Sequence, residues 1–253
     1  RRLEGTPFEA QARMALLAIY ERSRDWAQAS DIAQRMQASS QGDFSTRQAH
    51  YLCEQALPLA ARGELQAAQA LLERAVATAP QAPRARIEMA RLQQRMGRPD
   101  AALATLQALA DSAPAALALA APLLVETALA SGRAQQAGAL LQQHYQDMPS
   151  LDLLEAIVSL QAATDGPPGA GREWYVRHLD KEPSLVAATK WLAGETLGHE
   201  QFHPQIQRAL EQAAKPLTRY RCAACGFEAR QHFWQCPGCQ TWDSYPARRV
   251  EEL

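Results

Sequence analysis

Three stretches of 18 residues decide the reading of this sequence: GELQAAQALLERAVATAP (63–80), GRPDAALATLQALADSAP (97–114) and GRAQQAGALLQQHYQDMP (132–149). Each opens on glycine and closes on proline. Gly63 returns as Gly97 and Gly132, Ala68 as Ala102 and Ala137, and Leu72 as Leu106 and Leu141. Pro80 returns as Pro114, Pro149 and Pro183, at steps of 34, 35 and 34. Every recurring residue has a physical task. Glycine takes the left-handed conformation that ends one helix cheaply. Alanine is small where two antiparallel helices press together. Leucine fills the groove against the next pair, and proline stops the second helix because it cannot extend the hydrogen-bond ladder.

A period of about 34 residues is that of the tetratricopeptide helix–turn–helix repeat. Extending the register backwards puts Leu16, Leu17, Tyr20, Trp26 and Ala29 in an earlier pair, followed by a loop at Ser39–Gly42. Forwards, Leu151 to Pro183 forms a degenerate repeat broken by Asp165-Gly166-Pro167-Pro168-Gly169, and a last pair runs from about Leu185 to Ala214. The expected fold is all-α: a tetratricopeptide-repeat superhelix of about six helix pairs over residues 1–217, followed by a small rubredoxin-like four-cysteine metal knuckle over 218–253. Composition agrees. Alanine and leucine, which lose little side-chain entropy in helices, dominate the apolar residues, and strand-like alternation of Val, Ile and Thr is nearly absent before residue 218.

Charge narrows the function. With 26 basic and 27 acidic residues, the chain lacks the basic excess of nucleic-acid binders. The longest apolar run, Ala115 to Val125, is 11 residues interrupted by Pro122, too short for the roughly 17–25 that a spanning helix needs. Arg1 opens the chain with neither an initiator methionine nor a leader, as a fragment would, which leaves an N-terminal anchor open. Helical repeats of this kind bind partners along the first helix of each pair. Arg84, Glu88, Arg91 and Arg95 share one helix face, with Arg84, Arg91 and Arg95 as candidate contacts to an acidic partner; a solvated face ranks ahead of that reading.

Four of the five cysteines lie between Cys222 and Cys239, spaced C-x2-C-x10-C-x2-C. Cys222, Cys225, Cys236 and Cys239 are expected to hold one metal ion, zinc or iron, in a closed tetrahedral site. Gly226 and Gly238 let the backbone curl round the ion. Tyr220, Phe227, Phe233, Trp234, Trp242 and Tyr245 supply an aromatic core in a segment too small to fold without metal. A closed site is structural, so no catalytic residue is assigned, and the short linker Lys215–Thr218 implies docking on the last helix pair. Cys53 reads as a small buried residue. One rival reading is a zinc-dependent hydrolase using His199, Glu200 and His203 of an H-E-x-x-H match, weakened by Gly198 before it and Pro204 after it. Another is a nucleic-acid-binding zinc ribbon, which the charge balance disfavours.

The segment Arg219-Tyr-Arg-Cys-x-x-Cys-Gly-Phe, followed by Trp234-x-Cys-Pro-x-Cys-x-x-Trp242, resembles the lipopolysaccharide assembly protein B family. Ile19-Tyr20 with Trp26, and His50-Tyr51-x-Cys53-Glu54-x-Ala56-Leu57, extend the resemblance, while the break at 166–171 departs from it. The resemblance implies a non-catalytic adaptor on the cytoplasmic face of the inner membrane, anchored by one N-terminal helix. It implies three partners: the membrane ATP-dependent protease FtsH, the deacetylase that commits precursors to lipid A, and an inner-membrane sensor of lipopolysaccharide. Together these would regulate lipopolysaccharide biosynthesis through proteolysis of the deacetylase.

Overall fold

The computed structural model describes residues 8–164, 171–195 and 202–253. They form twelve α-helices and a two-stranded sheet, divided into two compact units, Arg1–Ala113 and Pro114–Leu253.

The first unit holds α1 (Glu9–Ser23), α2 (Trp26–Ala38), α3 (Ser45–Ala61), α4 (Leu65–Thr78), α5 (Pro83–Arg95) and α6 (Pro99–Ser112). The second holds α7 (Leu117–Ala130), α8 (Ala134–Asp147), α9 (Leu151–Ala163), α10 (Arg172–Lys181), α11 (Leu185–Leu192) and α12 (His203–Ala214), then β1 (Tyr220–Arg221) and β2 (Glu228–Ala229). Twelve helices make the six expected pairs. The broken turn at 165–169 lies outside the described residues.

The repeating residues do what their spacing implies. Gly63, Gly97 and Gly132 have φ of +84°, +70° and +66°. In each turn the next residue's amide reaches five residues back: Glu64 to Leu59, Arg98 to Gln93, and Arg133 to Ala128, at 2.8–3.0 Å. This bond ends a helix in the Schellman manner and satisfies a terminal carbonyl. No heavy atom lies within 4 Å of a Cβ built on these three glycines, so backbone conformation, not space, demands glycine. Ala68, Ala102 and Ala137 are buried, as are Leu72, Leu106 and Leu141. The prolines stand two residues past the ends of α4, α6, α8 and α10. Pro114 goes further and opens a 3-10 turn over Pro114–Ala116.

Three of the described helices start on a side-chain cap and three with an early proline. Asp25, Ser150 and Ser184 accept hydrogen bonds from the amides of Gln28, Leu153 and Ala187, and Pro83, Pro99 and Pro204 stand in the first turns of α5, α6 and α12. Pro122 does not break its segment; it lies inside α7. No described helix is long and apolar enough to cross a membrane.

In the second unit Leu117, Leu124, Leu141, Leu151 and Leu154 are almost fully enclosed. Buried among them, Tyr145 of α8 lies 2.7 Å (Oη to Nδ1) from His178 of α10, and Trp174 meets the Tyr145 ring edge-on. Burial, the largest influence, holds the His178 pKa below the usual imidazole value, against the attraction of Glu182 and Glu251.

Leu124→Ala removes a fully buried side chain and is expected to destabilise the second unit by about 2–5 kcal/mol, read from the denaturant midpoint. The unfolded chain protonates His178 near its ordinary pKa while the folded one resists. The contribution is therefore present above about pH 6.5 and is lost as pH falls through the folded pKa. Urea titrations from pH 7 to pH 5 are expected to show a smaller loss of stability in His178→Gln than in wild type; equal slopes would remove His178 as the cause.

Candidate metal centre

The C-terminal segment is built from two similar turns. In the first, the Cys222 amide donates to the Phe227 carbonyl (2.9 Å) and the Gly226 amide to the Cys222 carbonyl (2.9 Å). In the second, the Cys236 amide donates to Thr241 (2.9 Å) and the Gln240 amide to Cys236 (2.8 Å). The strands pair antiparallel, Tyr220 opposite Ala229 and Arg221 opposite Glu228, and an isolated bridge joins Gln235 to Trp242.

The expectation for the two glycines divides. Gly226 has φ +77°, as its turn requires, but the matching left-handed position in the second turn is Gln240, at φ +61°. Gly238 lies beside the Phe227 ring, where a Cβ would make only ordinary contact at 3.4–3.5 Å, so neither space nor backbone demands glycine there.

All four thiol sulfurs lie within 4.8 Å of one another. Cys222 and Cys239 Sγ are 3.8 Å apart, and Cys225 and Cys236 Sγ are 3.6 Å apart. A metal–sulfur bond of about 2.3 Å gives a tetrahedral edge of about 3.8 Å, so the donors fit one four-coordinate ion and are far too distant for disulfides. Cys222 and Cys236 are buried, whereas Cys225 and Cys239 face solvent. Burial opposes ionisation of Cys222, but the Ser244 hydroxyl and the Cys225 and Ala224 amides outweigh it and draw its pKa down to about 6. The Thr241 hydroxyl and amide lower that of Cys239. At Cys225 the Phe227 amide favours the thiolate, yet partial desolvation by the surrounding chain and the three neighbouring cysteines push the pKa up to about 12. A cation among the sulfurs reverses that last conflict.

The aromatic core is smaller than expected. Tyr220 and Tyr245 are buried and Phe233 packs against them, but Phe227 is 44% exposed. At the centre stands His232, which sequence reasoning passed over. Its ring meets Tyr220, Trp234 and Tyr245 edge-on, and its Nε2 lies 3.0 Å from the Tyr245 carbonyl. A lone histidine between Gln231 and Phe233 carries no spacing signal. The knuckle docks differently from expectation as well. Its contacts reach α9 and α11 through Asp152, Glu155, Ser184 and Leu185, with Leu119 of α7 packed against its buried cluster, not only the last helix pair.

The other candidates separate cleanly. Arg84 is buried, with Nη2 2.6 Å from Glu54 Oε1 and Nη1 3.5 Å from His50 Nδ1. Glu88 is also buried and pairs with the half-exposed Arg91 at 3.1 Å, while Arg95 donates to the Ala60 carbonyl at 2.8 Å. The solvated-face reading therefore fails for Arg84 and Glu88, which bind their neighbours inside the first unit. Cys53 is fully buried, and burial pushes its thiol up to about 12, so it is unreactive. His199 and Glu200 lie outside the described residues. His203 opens α12, with its Nε2 3.4 Å from the Leu192 carbonyl.

Comparison with known proteins places both parts. Residues 220–245 match the rubredoxin metal binding domain and residues 59–124 the tetratricopeptide repeat. Lipopolysaccharide assembly protein B of Escherichia coli K12 is 24% identical over 254 residues, covering 98% of this chain. The chain is a homologue of lipopolysaccharide assembly protein B. The Haemophilus influenzae protein of that name is 22% identical over 94% of the chain. The chain spans 65% and 61% of the lengths of these two lipopolysaccharide assembly proteins B. Among solved structures, Pseudomonas aeruginosa PilF matches at TM-score 0.47 and 11% identity, covering 81% of this chain and 92% of that one. A MamA variant matches at TM-score 0.44 and 16% identity, covering 68% and 97%. Both likenesses are too loose to bear on function.

Cys236→Ser removes a buried ligand. It is expected to lower metal content from about one ion per chain towards zero and to unfold residues 219–246, with far-ultraviolet circular dichroism nearly unchanged. Global loss of helix would contradict a local role for the ion.

Proposed function

We propose that this chain is a non-catalytic adaptor that regulates lipopolysaccharide biosynthesis by presenting the lipid A pathway deacetylase to the membrane protease FtsH. Supporting this is the pairing, on one chain, of tetratricopeptide helices with a four-thiolate knuckle, aligned over 98% of its length with lipopolysaccharide assembly protein B. Four sulfurs fill a tetrahedral ion's coordination, leaving no position for the water that hydrolytic zinc activates. The ion then has an architectural task. Partner surface is available in the second unit, where α7, α9 and α10 border a cavity of about 620 Å³ whose lining includes Pro122, Val125, Leu129, Glu126 and Tyr175. Leu129 is 41% exposed there, and exposed apolar groups beside charged ones suit a protein partner.

In this reading the chain works at the cytoplasmic face of the inner membrane, held there by an N-terminal anchor, and a lipopolysaccharide-sensing membrane protein restrains it. The test is affinity capture from Gram-negative membrane extract with wild type and Cys236→Ser side by side, bound proteins being identified by mass spectrometry. Recovery of the deacetylase or the protease by wild type alone is expected. Recovery of neither contradicts the adaptor reading for this part of the molecule.

A further inference from the structure

The last residues of the chain fold back and close two helices. The Val250 amide donates to the Arg219 carbonyl at 2.7 Å, fixing the tail beside the start of β1. The Glu251 carboxylate accepts from the Leu185 amide (2.6 Å), the Val186 amide (3.3 Å) and the Ser184 hydroxyl (2.8 Å), all at the start of α11. The Glu252 carboxylate accepts from the Leu151 amide (2.8 Å), at the first residue of α9, and from the Arg249 amide (2.7 Å). First-turn amides have no acceptor within their own helix and carry the positive end of its dipole. Here carboxylates arriving from 66 and 101 residues along the chain satisfy them. Arg249 completes the arrangement. Its guanidinium donates to Asp152 Oδ1 (2.5 Å) and Glu155 Oε2 (3.2 Å), while the Tyr220 hydroxyl donates to the other Asp152 oxygen (2.7 Å).

We propose that Arg249–Glu252 is a latch through which the metal-bound knuckle locks the first turns of α9 and α11, and with them one wall of the α7–α9–α10 cavity. The connection is direct. Arg219 and Tyr220, which position the tail and Asp152, lie three and two residues before the first metal ligand, Cys222. Without the ion the knuckle loses the ordering that keeps them in place, and Glu251 and Glu252 lose their hold on the two helices. Asp152, Glu155, Lys190 and Arg249 all line the cavity. Release of Arg249 therefore removes a positive charge from that wall and leaves Asp152 without its cation, while Glu155 keeps Lys190 at 2.8 Å, so the cavity's charge follows the metal state. The inference rests on metal binding by the four cysteines and not on the identity of any partner.

Hydrogen exchange with mass spectrometry, on metal-loaded protein before and after chelation, tests the latch. Chelation is expected to speed exchange at Leu151, Leu185 and Val186 by at least about tenfold, with Leu141 in α8 unchanged. Glu251→Ala combined with Glu252→Ala is expected to show the same rise with metal bound, and no further rise there on chelation. Because coupling is reciprocal, that variant's zinc affinity falls by about tenfold. Chelation that unfolds residues 219–246 while Leu151, Leu185 and Val186 keep their protection would overturn the proposal. That wild-type arm decides the matter even if the double variant does not fold.

Discussion

A helix–turn–helix of some 34 residues has too little interior to stand alone, so each pair must bury its leucines against its neighbours. The other regularities follow from this constraint. Close approach of paired helices favours a small residue, and Ala68, Ala102 and Ala137 are all buried. Tight reversal requires a left-handed residue, which Gly63, Gly97 and Gly132 supply. Termination requires a residue that cannot continue the ladder, which the prolines supply. Within each unit, then, the sequence period and the packing period are one.

The C-terminal segment meets the same shortage of interior by another route. Its buried residues come to little more than two tyrosines and two cysteines, too few to outweigh the conformational entropy of ordering the chain. Coordination supplies the missing stabilisation from within, and docking supplies it from outside. Asp152 shows how closely the two are joined: one oxygen accepts from Tyr220 beside the metal ligands, and the other from Arg249 in the tail. A buried carboxylate is tolerated there because both oxygens have partners.

Features carried by spacing were legible in the sequence, and features carried by tertiary proximity were not. The cysteine spacing, the glycine turns and the six helix pairs all rest on local geometry that recurs at fixed intervals. His232 and the tail from Arg249 to Glu252 have no such interval; their roles exist only once distant segments meet. Arg84 misleads for a related reason. A charged residue on a helix face reads as solvated until His50 and Glu54, a full repeat away, turn out to enclose it. Gln240 is harder still, since nothing in its type announces the left-handed conformation that Gly226 supplies in the matching turn.

Four sulfurs that complete the coordination of one ion make the centre architectural, with no position left for a hydrolytic water. X-ray absorption at the metal edge of the natively loaded protein measures this directly. Four sulfur scatterers at about 2.3 Å, with no oxygen or nitrogen in the first shell, are predicted. Three sulfurs with one oxygen would reveal an open position for water and contradict the account.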